Sequence, residues 1–455
     1  MVETPKKTSS RSTPRVEEPA RTRPSATEAA AAAKPRGGRT RSTRPTVEKP
    51  TVAVVLSGAA ARGAFQAGAL AEIIPALERE GLMPTIWLGT SAGSINAVLW
   101  GAAVHLGAET AAQDVVQVWR RMNDHNVFRP LLSFAQLRSG LQYVGGALLG
   151  QGPGTTSLLD TEPLHRTAIQ ALQTGQLAGN VADGAIAAVG VVATRMPQAS
   201  DDVVNGAASG RSVLFLDEHD PGGYHGDGDR ALDVVRGRIT VDHVMASSAI
   251  PVAFPPVEIT VPESAGGWYM DGGVRLNTPL HPAVGLGATR ILVVSATATS
   301  YGPSPRPDPS SSTPDLADAS AQVLHAVLAD RTIEDLALLR RTNRLVARAA
   351  DAGRPDVLAG RDGVPYRAID VMVVSPPPGE LGRIAAEVFQ RRTSGLGRLS
   401  ELDNWLIGKA IRGAGDDVGR RELLSYLFFD QEYFAAGLEL GRRAASAALS
   451  RGWER

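Results

Sequence analysis

The first fifty residues carry almost no large apolar side chain, and then Thr51-Val-Ala-Val-Val-Leu56 forms an unbroken apolar run. A run this short, followed by small turn-forming residues, predicts a buried strand. After Ser57-Gly-Ala-Ala-Ala-Arg-Gly63, the residues Leu70, Ile73, Ile74 and Leu77 fall at i, i+3, i+4 and i+7. That is the spacing of one apolar helix face, and Gly81 supplies a stop. A second apolar run, Pro84-Thr-Ile-Trp-Leu88, passes through Gly89-Thr-Ser-Ala-Gly93 into the helix-like Ser94-Ile-Asn-Ala-Val-Leu-Trp100. Strand, turn and helix twice in succession predict an α/β architecture with a mainly parallel sheet. Further strand candidates are Ala185–Ala193, Val213–Leu216, Val257–Val261, Ile291–Ser295 and Val371–Val374. Helical spacing dominates Leu316–Ala350 and Gly379–Ala448, and no internal repeat is visible.

This patterning divides the chain into a Pro/Ser/Arg/Ala-rich tail (1–49), an α/β body (50–300), a Pro/Ser-rich loop (301–314) and a helical C-terminal part (315–455). The last part carries one further strand near 370–375 and is expected to pack on the same domain. The tail has too little apolar surface to offset the entropy of ordering, which predicts disorder. It holds twelve Lys/Arg against five Asp/Glu, a net of +7. Its Arg- and Ser-rich composition is similar to that of a transit peptide, but an unstructured basic tail is the simpler reading. It lacks the apolar core of a secretory signal.

Over all 455 residues, Lys+Arg and Asp+Glu are both 47, so overall charge gives no sign of a nucleic-acid partner. The absence of cysteine excludes disulfides, thiolate metal sites and cysteine nucleophiles. No stretch approaches 18 charge-free apolar residues, so no transmembrane helix is expected. A cytoplasmic location is the expectation, with contact at a membrane surface.

Gly89-Thr-Ser-Ala-Gly93 has the form G-x-S-x-G between a strand and a helix. In that setting small flanking residues let the backbone take a strained turn and leave a nucleophilic hydroxyl exposed. An ordinary strand-to-helix turn uses the same residue types. Acyl transfer would also require donors for an oxyanion. The loop Gly58-Ala-Ala-Ala-Arg-Gly63 offers backbone N–H groups at a helix start, with little side chain in the way. A phosphate-binding P-loop would need Lys-Ser/Thr where Ala64-Phe65 stand, and a dinucleotide fingerprint would need Gly in place of Ala60. A tight strand–helix turn remains the plain alternative. Arg62 reads as a solvated charge, a structural ion pair or an aid to the anion site.

None of the eight histidines has an evident catalytic context. The better candidate base is Asp271 in Trp268-Tyr-Met-Asp-Gly-Gly273, between an apolar-aromatic strand end and two glycines.

A glycine loop ending in Arg-Gly, then G-x-S-x-G on the next strand, then Asp-Gly-Gly far downstream resembles the patatin-like phospholipases. Ala246-Ser-Ser-Ala-Ile-Pro-Val-Ala-Phe-Pro255, Asp271-Gly-Gly-Val-Arg-Leu-Asn-Thr-Pro-Leu280 and Leu424-Ser-Tyr-Leu-Phe-Phe-Asp-Gln-Glu-Tyr433 also look like segments of that family. The resemblance covers residues 50–300 well and the C-terminus more loosely. It implies a three-layer α/β/α fold with a mainly parallel central sheet. It implies hydrolysis of phospholipid or other acyl-ester lipids without cofactor or metal.

Carried over, Ser91 is the nucleophile and Asp271 the base. The backbone of Gly58, Ala59, Ala60 and Ala61 forms the oxyanion hole, and Arg62, Gly63, Gly89, Gly93, Gly272 and Gly273 complete the motifs. The family loop usually has three successive glycines, whereas Ala59 and Ala60 stand at the second and third here, and alanine resists positive φ.

Two other readings stand beside this one. An α/β-hydrolase triad would use Ser91, Asp271 and His281 or His325 in that chain order. A catalytically weak lipid-binding adaptor would retain the fold. The segment Leu131–Gly150 is apolar and softened by Gly145-Gly146, which reads either as a mobile cover over the site or as a core helix and loop.

Overall fold

The computed structural model describes residues 50–122, 129–130, 159–160, 162–197, 210–228, 230–251, 254–299, 331–360, 365–394 and 418–455. The basic tail, the Leu131–Gly150 segment, the 301–314 loop and His325 lie outside the described residues. All described residues fall within one unit, Lys49–Arg455.

The first half of the chain forms β1 (Val52–Leu56), α1 (Gly63–Arg79), β2 (Ile86–Thr90), α2 (Ala92–Ala103) and α3 (Ala108–Arg121). The short pair β3 (Arg129–Pro130) and β4 (Leu159–Asp160) follows, then α4 (Glu162–Ala171), α5 (Thr174–Ala182), β5 (Ala188–Arg195), β6 (Arg211–Glu218) and β7 (Leu232–Arg236). Next come α6 (Val241–Ser247), β8 (Val257–Ile259), β9 (Gly267–Asp271), α7 (Leu280–Gly285) and β10 (Arg290–Val294). The chain ends with α8 (Arg331–Asp351), β11 (Asp370–Val374), α9 (Glu380–Ser394), α10 (Val418–Leu427) and α11 (Gln431–Arg451).

The strand order is β11-β10-β1-β2-β5-β6-β7, with β9 paired to β5 and β8. The run from β11 to β5 is parallel, with Val54 opposite both Leu292 and Trp87. β6 and β9 run antiparallel to β5, and β7 runs parallel to β6. The expected α/β class with a mostly parallel sheet is therefore what forms.

The buried strand residues alternate between two cores, as the two-residue period of a strand requires. Val54, Leu56, Trp87 and Val191 pack with residues of α1, α2, α3 and α11. Ala53, Val55, Leu88 and Val192 pack on the other face with Leu280 of α7 and Leu336 of α8. Both faces being covered explains why these strands read as continuous apolar runs.

α1 and α11 approach until their backbones touch. A Cβ on Gly68 would lie 2.0 Å from the Leu438 carbonyl oxygen, and one on Gly441 would lie 2.1 Å from that of Phe65. The helical stretch read over Gly379–Ala448 is broken within its described part at Phe428–Asp430. There the Asp430 carboxylate caps α11 by accepting from the N–H groups of Glu432 and Tyr433 at 2.8 and 3.0 Å.

Candidate active site

β2 ends at Thr90 and α2 begins at Ala92, so Ser91 alone makes the turn. It does so at φ +54°, ψ −132°, a conformation that strains any residue with a Cβ. Its flanks have no room for side chains. A Cβ on Gly89 would lie 2.3 Å from the Gly93 carbonyl oxygen, and one on Gly93 would lie 2.6 Å from those of Leu56 and Ser57. The strained turn is held by hydrogen bonds. The Ser91 N–H donates to Ser247 Oγ at 2.9 Å, and Ser247 in turn donates to the Val192 carbonyl at 2.5 Å. Ser94 Oγ donates to the Ser91 carbonyl at 2.6 Å.

The loop after β1 lies beside this turn, because β1 and β2 are neighbours. The Gly58 N–H is already engaged by Asn277, through its carbonyl at 3.1 Å and its side-chain Oδ1 at 3.0 Å. The N–H groups of Ala59, Ala60 and Ala61 have no acceptor among the described residues, so they are the donors still open. Ala60 reaches that arrangement at φ +47°, in the left-handed region that a glycine would occupy without strain.

Arg62, at the end of this loop, is buried. Its Nε donates to Ser425 Oγ at 2.8 Å, it pairs with Glu422, and it stacks 3.8 Å from the Tyr426 ring centroid. Of the three readings of Arg62, the structural ion pair is the one found. Gly63 leaves space for the Trp119 ring, which a Cβ there would meet at 2.3 Å.

Asp271 ends β9, which pairs with β5 on the far side of β2 from β1. It is 4% exposed. Its N–H donates to the Ala249 carbonyl at 2.8 Å, and its carbonyl accepts from Thr194 Oγ1 at 3.0 Å. Oδ1 accepts from the Gly273 N–H at 2.7 Å. Gly272 brings this turn against β5, where a Cβ would lie 2.2 Å from the Val192 carbonyl oxygen. Burial pushes the carboxyl up from 3.8 to about 6, against the pull of the neighbouring Ser91 hydroxyl and the Gly273 N–H, which favour the charged form. Oδ2 has no hydrogen bond among the described residues.

His281 lies elsewhere. Its partners are Asp227, at 3.7 Å from Nε2, and the Tyr224 hydroxyl, at 3.5 Å from Nδ1. Buried His243 is a packing residue, stacked on Phe215 and bonded to the Thr240 N–H and the Val261 carbonyl. Among the described residues no group of His, Asp and Glu is arranged to hold a metal ion.

Ser91 opens on a small cavity of about 30 Å³ whose walls include Ala60, Ile95, Trp119, Phe254 and Phe429. A larger polar cavity of about 360 Å³, between Arg230, His281 and Glu334, does not include Ser91.

The sequence pattern of the patatin-like phospholipases matches residues 54–284, just over half of the chain, from within β1 to within α7. The chain belongs to the patatin-like phospholipase family. Among solved structures it is similar to VipD from Legionella pneumophila, at 12% identity and a TM-score of 0.30, covering 89% of this chain and 67% of that one. It is also similar to human GIVD cytosolic phospholipase A2, at 12% identity and a TM-score of 0.36, covering 89% of this chain. The chain spans only 61% of that human protein. The same enzyme in complex with methyl gamma-linolenyl fluorophosphonate matches at 14% identity, a TM-score of 0.34, and 88% and 60% coverage. No curated protein matches by sequence.

In this patatin-like chain, sequence reasoning had no roles for Ser247, Asn277 and Thr194. Ser247 and Asn277 lie inside the segments that carried the resemblance, so the segments were visible and the bonds were not.

Proposed function

We propose that this protein is a serine lipid acyl hydrolase in which Ser91 attacks an acyl ester and Asp271 carries the proton. The observation that carries this reading is a strained serine at a strand–helix turn beside a buried carboxylate whose Oδ2 has no hydrogen bond among the described residues. As Ser91 Oγ bonds to the ester carbonyl carbon, its proton passes to Asp271. The developing oxyanion is met by the open N–H groups of Ala59, Ala60 and Ala61, with the positive end of the α2 dipole beside it. Asp271 returns the proton to the departing alcohol. It then takes one from water, which cleaves the acyl-enzyme and regenerates Ser91.

The buried, uphill-shifted carboxylate is matched to this task. At about 6 it is ionised at neutral pH and is a far better base than an exposed aspartate. The apolar cavity beside Ser91 suits an acyl chain and not a polar acyl donor. Its size requires the walls to part for a long chain.

Phospholipid or a related acyl-ester lipid is the substrate class. Access to it is by peripheral contact with a membrane surface, and among the described residues no helix is long and apolar enough to cross one. The tail, with its net charge of +7, adds attraction to anionic lipid of about 1 kcal/mol per basic residue near the surface. The division into a tail, a hydrolase domain and a helical C-terminal part packed on it belongs to the same proposal.

The test is hydrolysis of a p-nitrophenyl ester and of a phospholipid panel by wild type and Ser91→Ala. The variant should fold and lose turnover. A folded Ser91→Ala protein with wild-type activity would place the chemistry elsewhere.

A further inference from the structure

Two buried polar atoms beside Ser91 lack a hydrogen bond among the described residues: Ser248 Oγ and Asp271 Oδ2. Ser248 is 7% exposed and Asp271 4%. Folded interiors seldom leave such atoms unsatisfied, and those that do often await a ligand.

Ser248 lines the same small cavity as Ser91. The next residue, Ala249, accepts the Asp271 N–H at 2.8 Å, so Ser248 is held against the strand end that carries the base. β2 lies between β1 and β5 in the sheet. The open N–H groups of Ala59–Ala61 therefore flank Ser91 on the β1 side. Ser248 and Asp271 flank it on the β5 side, where β9 is paired. The carbonyl oxygen of a bound ester belongs on the first side. The atom that exchanges a proton with Asp271 belongs on the second.

We propose that Ser248 is a further catalytic residue, and that its hydroxyl and Asp271 Oδ2 together receive a single oxygen of the reaction. The inference rests on Ser91 being the nucleophile. In acylation the shared oxygen is the alkoxy oxygen of the ester. The Ser91 Oγ–carbon bond forms, the carbon–alkoxy bond breaks, and the proton taken from Ser91 by Asp271 passes to the alkoxy oxygen while Ser248 donates a hydrogen bond to it. In deacylation a water oxygen occupies the same place. It bonds to the acyl carbon, its proton passes through Asp271 to Ser91 Oγ, and the carbon–Oγ bond breaks. One position serves both halves because the second is the first run backwards with water in place of the alcohol. Each orphaned atom gains its partner only when that oxygen arrives.

The experiment uses the full chain with Ser248→Ala and Ser248→Cys, the second keeping the size and weakening the donor. With a p-nitrophenyl ester the leaving group needs little help, so the loss should fall on deacylation. The expected result is a kcat lower by about tenfold or more, within the range seen for loss of one transition-state donor. KM should fall by a similar factor, so that kcat/KM stays within about twofold of wild type, and an acyl adduct should accumulate on Ser91 in intact-mass spectra. The order of kcat should be Ser, Cys, Ala. Removing an unpaired hydroxyl should leave Tm unchanged or raise it, which a packing role would not do.

A folded Ser248→Ala protein with kcat within twofold of wild type would overturn the proposal. So would losses in both variants that track a lowered Tm. If the Ala variant does not fold, the Cys variant decides by the same criteria. Labelling of wild type with a fluorophosphonate separates the two layers. If Ser91 is not labelled, the nucleophile assignment fails; if it is labelled and Ser248→Ala is unimpaired, only the present inference fails.

Discussion

Replacing Asp271 with Asn should abolish turnover and stabilise the fold, and both effects follow from one buried carboxyl. Burial raises its pKa from 3.8 to about 6. For an acid shifted upward, the folded state favours the protonated form. The associated stability is fully present below about pH 4 and is lost as pH rises through about 6. The shift of about two units, at about 1.4 kcal/mol each, places the penalty of the ionised form near 3 kcal/mol at neutral pH. Asn keeps the shape and an acceptor for the Gly273 N–H while removing the charge. Its own amide gains no certain partner in place of Oδ2, so about 3 kcal/mol is an upper bound on the gain.

Urea unfolding of wild type and Asp271→Asn between about pH 4 and 8 checks this. The variant should be the more stable protein at neutral pH, and its advantage should vanish toward pH 4. The wild-type pH–rate profile is the companion measurement. A base that titrates near 6 gives kcat/KM falling about tenfold per unit below that value, so about one-tenth remains at pH 5. An unshifted aspartate would leave the rate at pH 5 nearly whole. A profile flat to about pH 4.5, or an Asp271→Asn protein less stable than wild type at neutral pH, refutes the reasoning.

Ala60→Gly should keep activity and stabilise the fold by no more than about 1.5 kcal/mol, because relief of about 1–2 kcal/mol of left-handed strain is offset by about 0.5–1 kcal/mol of added chain entropy; a large loss of kcat would show that the Ala60 methyl group itself contacts substrate. Ser247→Ala removes the partner of both the Ser91 N–H and the Val192 carbonyl, so urea unfolding should show a loss of about 2 kcal/mol, and kcat should fall more than KM rises. Glu422→Gln leaves the buried Arg62 guanidinium without its counter-charge, and a loss of about 3 kcal/mol or more is expected for half of a buried pair; an unchanged Tm would mean that water reaches Arg62. Deleting residues 1–49 should leave turnover of a short-chain soluble ester unchanged, since every site residue lies at position 58 or later, and lost activity in a folded truncation would place the tail in the site.

The two strand–turn–helix units at the start of the body were legible because each strand is buried on both faces and reads as an apolar run. β7 was not. Of Leu232-Asp-Val-Val-Arg236 only Leu232 is buried, as befits the terminal strand of the sheet, and its charged residues broke the pattern. The strand read at Val257–Val261 stops at Ile259, and the one read at Ala185–Ala193 spans Ala188–Arg195 instead. Apolar composition marks a strand's middle better than its ends. The turns at Ser91 and Asp271 were readable because their glycine neighbours are needed for close approach. Ser247 and Asn277 were not, because small polar residues are common everywhere. Their roles depend on partners 156 and 219 positions away. Arg62 kept three readings open for the same reason, since its partners lie about 360 residues downstream.

The site concentrates three unfavourable features at one edge of the sheet: Ser91 at φ +54°, Ala60 at φ +47° and a carboxylate out of water. Strained residues persist only where their surroundings over-determine them. Here the constraints arrive from five separate stretches of chain. Val192 and Thr194 of β5 hold Ser247 and Asp271. Ser247, at the end of α6, holds the Ser91 amide. Asn277 ties the loop after β1 to the turn after β9. Glu422 and Ser425 of α10 fix Arg62 at the far end of that loop, and α11 presses on α1 through Gly68 and Gly441. The family pattern ends at residue 284, yet the last two constraints lie well beyond it. The C-terminal helices are thus part of what keeps the loop after β1 in its strained shape, and the segment that carries the recognisable motifs does not by itself hold every constraint on it.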